Sequence, residues 1–376
     1  MLQSYCLQVA TERVHLLAKL AMFAPSLSGG GVQRVSLNLA EGLVAEGLEV
    51  DMLLLNPDDA QHVPKGAVPI TLGNHRSITS VLPLTRYLKQ SKPQLLFTAT
   101  EPVSLAGIWA RIFARTKTRI IPIIMNVPSA YQSRRRHRRE MLYPLMARWF
   151  FPRANHVIAI ADAIRNDLIQ YYKLKPSHIT TIYSPVLTPD FDRRKTEQTA
   201  HHWVQTKDKP IILTVARFVP AKDIPTLLHA FKKVRHRRDV RLILLGDGPL
   251  RTEIEQLVDT LGLNDAVSMP GFVPNLPYMQ ACDVFVLSSI FEGLPTVLIE
   301  ALACSRAIVS TDAGGAREIL ADGQAGTIVA KENPDALAEA ILNALDHPVD
   351  IRLLREQSTR FEMQRVVKQY RQHFNF

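Results

Sequence analysis

Twelve short apolar runs recur along the chain, and the stretches between several of them carry apolar residues at helical spacing. The runs lie at 17–24, 49–55, 94–99, 119–125, 156–160 and 179–182, then at 211–215, 240–245, 266–269, 284–287, 307–310 and 326–329. Most are apolar at successive positions rather than alternate ones, so both faces of each strand must be buried. Strands buried on both faces and alternating with helices pack as parallel sheets covered by helices. Helical spacing is clearest at 32–46, 224–235, 251–261 and 296–303. The alternation breaks once, at 184–210, where SPVLTPDFDRRKTEQTAHHWVQTKDKP is charged, proline-containing and aperiodic, as a linker is. The expected architecture is therefore α/β in two lobes, 1–187 and 188–360, with a cleft at the carboxyl ends of the strands.

Composition narrows the function. With 376 residues, 47% hydrophobic and 21% charged, the chain can bury a sizeable core. No run of 18 apolar residues is present, and the segment 14–24 is interrupted by Lys19 and lacks a small-x-small site, so it reads as a buried strand rather than a leader or span. Cys6, Cys282 and Cys304 form no C-x-x-C pair, which fits a reducing, intracellular setting. The balance of 45 basic to 35 acidic residues, a net +10, calls for nucleic acid, an anionic membrane or a phosphate-rich substrate, unless the charge is spread evenly.

Four motifs follow strands and open helices. Gly29, Gly30 and Gly31 precede a helix whose free amides suit an anion, though a glycine triplet reads equally well as a tight turn. Arg217 and Lys222 stand five apart after the strand 211–215, a fork and a point charge suited to a diphosphate. Gly246, in Gly246-Asp247-Gly248-Pro249, makes a turn that leaves room for a base or ribose. The segment Glu292-Gly293-Leu294-Pro295-Thr296 after the strand 284–287 leads to Glu300, with Pro295 expected at the first helical position. The macrodipole explains an acid at Glu292 but not Glu300, which lies inside VLIEALA, where an unpaired carboxylate is costly.

FEGLPTVLIEALA resembles the E-x7-E signature of the retaining glycosyltransferases of family 4. ARFVPAKD, GDGP, GFVPN and STDAGGAREIL stand in that family's order, so the resemblance covers 205–330 closely and extends more loosely to the glycine loop. It implies the GT-B architecture of two Rossmann-like domains, with 361–376 crossing back as a last helix onto the first. By the same resemblance Arg217 and Lys222 hold the donor diphosphate, and Glu292 with the amides of Gly293 and Leu294, beside Pro295 and Thr296, holds the transferred sugar. Glu300 takes the ribose hydroxyls, the backbone around Phe272 and Val273 reads the base, and Gly29–Gly31 with Thr100 and Glu101 face the acceptor. Thr100 stands where many relatives place a His, and Asn126 follows Met125 where some have His-Asn.

No metal or other cofactor is expected, because fixed cations can neutralise a diphosphate; Asp190-Phe191-Asp192 and His201-His202 lie in the linker without further ligands at metal spacing. Five arginines, Arg134, Arg135, Arg136, Arg138 and Arg139, precede an aromatic-rich run. This reads as a solvated helix face or as an amphipathic element at an anionic membrane surface, the second implying an acceptor held at the lipid. No nucleic-acid module accompanies them. The expected activity is transfer of a hexosyl or N-acetylhexosaminyl unit from a nucleotide-sugar, UDP-linked, to a lipid-linked or glycolipid acceptor at the cytoplasmic face of the membrane. A nucleotide-sugar epimerase and a catalytically inert donor-binding partner subunit are the alternatives.

Overall fold

The computed structural model describes residues 19–27, 30–73, 77–129, 143–347 and 349–376. Two parallel sheets organise them. The first contains β1 (Lys19–Phe23), β2 (Glu49–Leu54), β3 (Val68–Thr71), β4 (Leu95–Thr98), β5 (Arg119–Ile124), β6 (Val157–Ala159) and β7 (Ile179–Thr181), in the order β3-β2-β1-β4-β5-β6-β7. The second contains β8 (Ile211–Val215), β9 (Arg241–Leu245), β10 (Val267–Gly271), β11 (Val284–Leu287), β12 (Ala307–Thr311) and β13 (Thr327–Val329), in the order β10-β9-β8-β11-β12-β13. The central strands are apolar because helices cover both their faces: Leu20 to Phe23, Leu95 to Phe97, Ile212, Leu213 and Val284 to Leu287 are all buried.

Both sheets reverse strand order at one place, between β1 and β4 in the first and between β8 and β11 in the second. Chain leaving those strands turns to opposite faces of the sheet, which opens a crevice at their carboxyl ends. Gly30 and Gly31 follow β1, Arg217 and Lys222 follow β8 and Glu292 follows β11 at these crevices, while Gly246 follows β9, one strand away.

One strand departs from expectation. β3 carries Pro69 and leaves Val68 exposed, so it lacks the two-sided apolar pattern that marks the rest; it lies at the sheet edge, where proline is tolerated. The aperiodic segment between the sheets also differs from a loose linker. It holds two short helices, Phe191–Lys195 and His202–Thr206. It is clipped to the returning chain as well: the Val186 and Leu187 amides donate to the Phe361 carbonyl, and the Met363 amide donates to the Leu187 carbonyl at 2.9 Å. The last helix, Met363–Phe374, packs against the first sheet's lobe, with Tyr370 and Phe374 set edge-on to Phe97 at 5.6 and 5.7 Å.

Candidate active site

A cleft of about 860 Å³ lies between the two switch points and is lined from both lobes. Its second-lobe wall is a stack of loops stitched beyond the strand ends. The Ala216 amide donates to the Leu245 carbonyl at 2.9 Å, Phe218 to Asp247 at 2.9 Å, and Gly246 to Gly271 at 2.9 Å. This close stacking explains Gly246. Its φ of +126° suits only glycine, and a Cβ there would stand 1.9 Å from the Ala216 carbonyl oxygen.

Lys222 ends a single turn of 3₁₀ helix, Pro220–Lys222, and Asp223 then caps the helix Ile224–Arg237. Two contacts tie this loop to the one after β11: the Ser288 hydroxyl donates to the Lys222 carbonyl at 2.8 Å, and the Ile290 amide donates to the Ala221 carbonyl at 2.9 Å. The Lys222 ammonium meets the Glu292 carboxylate at 2.5 Å, and the Ser289 hydroxyl donates to the same oxygen at 2.8 Å. Arg217 lines the cleft, is exposed, and makes no ion pair among the described residues. Lys222 thus waits on a carboxylate partner while Arg217 faces the cavity uncommitted.

Gly293, Leu294, Pro295 and Thr296 line the same wall. The helix begins at Thr296, one residue later than expected, because Pro295 keeps an extended ψ of 93° and serves as its cap. Gly293 presses against the other lobe: a Cβ on it would lie 2.2 Å from the Met125 carbonyl oxygen. Phe272 and Val273 line the mouth of the cleft, and the Phe272 ring is 90% exposed.

Glu300 is fully buried yet lines the cleft. It is not unpaired. Arg34, on the first lobe's helix Gly31–Ala45, donates from Nη1 to Oε1 at 2.6 Å, and Asn275 donates from Nδ2 to Oε2 at 2.6 Å. Sequence reasoning missed both partners, because nothing local in a helix links Arg34 to a residue 266 positions away.

On the first lobe, Gly30, Gly31 and Asn126 line the cleft. Gly29 and the five arginines Arg134, Arg135, Arg136, Arg138 and Arg139 lie outside the described residues. Thr100 and Glu101 are not among the lining residues, although the topology places β4 between β1 and β5, whose following loops do line the cleft. Thr100 holds φ 143° and ψ 157°, a conformation that costs a non-glycine residue about 1–3 kcal/mol. Glu101 starts the helix Glu101–Ala114 and accepts a hydrogen bond from the Tyr172 hydroxyl.

A further acid bridges the lobes. Glu318, in the GGAREIL segment, accepts from the Ala163 amide of the first lobe at 2.8 Å, and burial lifts its carboxyl to about 7. A second hollow of about 810 Å³ runs beside the last helix near Gly42, Lys368 and Arg371 and holds none of the motif residues. Among the described residues there is no cluster of three metal-ligating side chains and no helix long and apolar enough to cross a membrane.

Residues 196–362 match the sequence family described as glycosyl transferases group 1, and residues 29–188 match the one described as glycosyltransferase family 4. The chain is 28% identical over 343 residues to the N-acetylgalactosamine-N,N'-diacetylbacillosaminyl-diphospho-undecaprenol 4-alpha-N-acetylgalactosaminyltransferase of Campylobacter jejuni, covering 87% of this chain and 90% of that protein. It is 30% identical over 171 residues to the phosphatidylinositol N-acetylglucosaminyltransferase GPI3 subunit of Saccharomyces cerevisiae, covering 44% of this chain but only 37% of that subunit. Among solved structures, Anabaena HepE in complex with UDP superposes with a TM-score of 0.76 at 19% identity, covering 96% of this chain and 100% of that one. A likeness at that identity shows the two-lobed GT-B fold.

Proposed function

Because the chain belongs to glycosyltransferase family 4, we propose that it transfers a hexosyl or N-acetylhexosaminyl unit, with retention, from a UDP-linked donor to a lipid-linked saccharide at a membrane surface. The observation that carries this is the grouping of Arg217, Lys222, Glu292 and Glu300 around one cleft closed by the other lobe. Each has work in such a reaction. The donor diphosphate binds Arg217 and Lys222, which offset the charge that grows on the leaving group. Glu292, released from Lys222 as the phosphate takes its place, accepts from hydroxyls of the transferred sugar. Glu300 accepts from the ribose, and the exposed Phe272 ring gives the base a face to lie on. The acceptor hydroxyl attacks from the side the leaving group departs, and a diphosphate oxygen takes its proton. No metal is needed in this scheme, since fixed cations do the neutralising.

The acceptor class rests on two supports. The Campylobacter jejuni relative is named for transfer to an undecaprenyl-diphosphate-linked acceptor. On the first lobe, Leu145, Trp149 and Phe113 are more than half exposed. Their helices, Tyr143–Phe150 and Glu101–Ala114, meet through Trp109, whose ring lies 4.6 Å from Phe150 and 5.8 Å from Phe113. Exposed apolar side chains, two of them on the helix that follows the arginine-rich segment in the sequence, suit an anionic lipid interface, where each basic residue adds about 1 kcal/mol. The test is incubation with a panel of UDP-sugars and membrane lipid extract, using Glu300→Gln as control. Transfer by the wild type and its loss in the variant are expected. Transfer at the wild-type rate by Glu300→Gln, or conversion of the UDP-sugar with no acceptor present, would overturn this reading.

A further inference from the structure

Glu300 is held from both sides before any donor arrives, and one of its holders belongs to the lobe that carries none of the proposed donor contacts. The geometry points to Arg34 as a donor-binding residue supplied across the cleft, which braces Glu300 with one nitrogen and offers the other to a ribose hydroxyl of the nucleotide. The inference rests on the donor reading above and adds to it.

Three observations converge. A carboxylate has about four acceptor positions, and the bonds from Arg34 Nη1 and Asn275 Nδ2 use one on each oxygen, leaving one on each. Two remaining acceptors match the two hydroxyls of a vicinal diol. Charge-assisted bonds of 2.6 Å also fix the carboxylate plane, so the remaining positions are set before binding. Arg34 itself lines the cleft, and its Nη2 is buried without a hydrogen-bond partner among the described residues. A buried guanidinium nitrogen is rarely left unsatisfied, and an oxygen of the incoming nucleotide would complete it. Packing alone would not need this group. Arg34 sits one turn into the helix Gly31–Ala45, is not among that helix's buried residues and lines the cavity. Its position makes nucleotide affinity depend on the two lobes being together, because the arginine and the carboxylate it braces belong to different sheets.

Isothermal titration of the full chain with UDP and with 2′,3′-dideoxy-UDP tests this. The wild type should prefer UDP. Arg34→Ala should weaken UDP binding roughly tenfold or more, the scale of one lost charge-assisted hydrogen bond, and weaken the dideoxy analogue much less, so that the preference shrinks. Arg34→Lys should recover part of the affinity, since an ammonium can brace Glu300 but lacks the fork. Arg34→Gln, which keeps a polar side chain with an amide donor, guards against a folding defect, and an unchanged melting temperature qualifies each variant for comparison. If Arg34→Ala and Arg34→Gln weaken both nucleotides equally, or neither, the assignment of Arg34 falls while the donor reading stands. If the wild type fails to bind UDP or shows no ribose preference, the donor reading itself falls, and this inference with it.

Discussion

The two lobes share one topology and differ in what stands at its switch point. Beyond β8 and β11 the chain places Arg217, Lys222 and Glu292, and beyond β1 and β4 it places Gly30, Gly31 and Thr100. The order of six strands is the same in both sheets, β7 only extending the first, so the topology opens two places to bind and the side chains decide what each does. The second lobe offers charge of both signs. The first offers close backbone approach, one strained residue and, from the next turn of its helix, Arg34. In the proposed reaction, that asymmetry gives the donor's grip to the second lobe and its completion, with the acceptor, to the first.

The largest effect is expected from removing the second lobe's charge. Lys222→Ala should lower transfer by about 100-fold or more, the loss typical when one preorganised stabiliser of developing negative charge is deleted. Circular dichroism should remain that of the wild type. A rate within tenfold of the wild type would mean that Arg217 alone neutralises the leaving group.

Next in size is a wedge between the lobes. Gly293→Ala sets a methyl group 2.2 Å from the Met125 carbonyl oxygen, and that oxygen is backbone, so the lobes must part or the loop must shift. Donor KM should rise about tenfold with a smaller change in kcat, because closure aids binding before it aids chemistry. A lowered kcat at unchanged KM would place the Gly293 loop in the chemical step instead.

Glu318 gives a smaller and pH-dependent handle on the same closure. Its carboxyl is lifted from 4.5 to about 7 by burial, so the folded state holds a proton that the unfolded chain has released. Stability from this group is complete below about 4.5 and is lost as the pH rises through about 7. The melting temperature should therefore decline over that interval more steeply in the wild type than in Glu318→Gln. Parallel profiles would show that Glu318 stays solvated in the folded chain.

How far the sequence foretold these features follows from their range. Runs apolar on both faces revealed the strands buried on both faces, and β3 escaped because an edge strand with Pro69 has no such pattern. Glu300 was conspicuous as an acid inside an apolar helix, a local contradiction that only a partner resolves. The partners themselves, Arg34 and Asn275, carry no local contradiction: an arginine in the first turns of a helix and an asparagine in a loop are ordinary there. Cross-lobe contacts of this kind, Glu318 with Ala163 among them, depend on how two sheets meet, which no window of the sequence contains.

The smallest expected effect bears on the backbone beyond β4 in the first lobe. Thr100 sits two residues after β4 as Ser289 sits two after β11, but with a backbone that favours glycine. Its carbonyl accepts from both the amide and the hydroxyl of Ser104, at 3.0 and 2.7 Å, and these bonds help hold the strained turn. Thr100→Gly relieves a penalty of about 1–3 kcal/mol and gives back about 0.5–1 kcal/mol of chain entropy, so a small net rise in melting temperature is expected. If the first lobe contributes only shape at this point, transfer should stay within about twofold, a difference too small to implicate any lost contact in the transition state. A variant that melts higher yet transfers poorly would show that strain at Thr100 is kept for the reaction. In that case the two switch points would differ in the kind of chemistry they supply, side-chain charge in one and held backbone in the other.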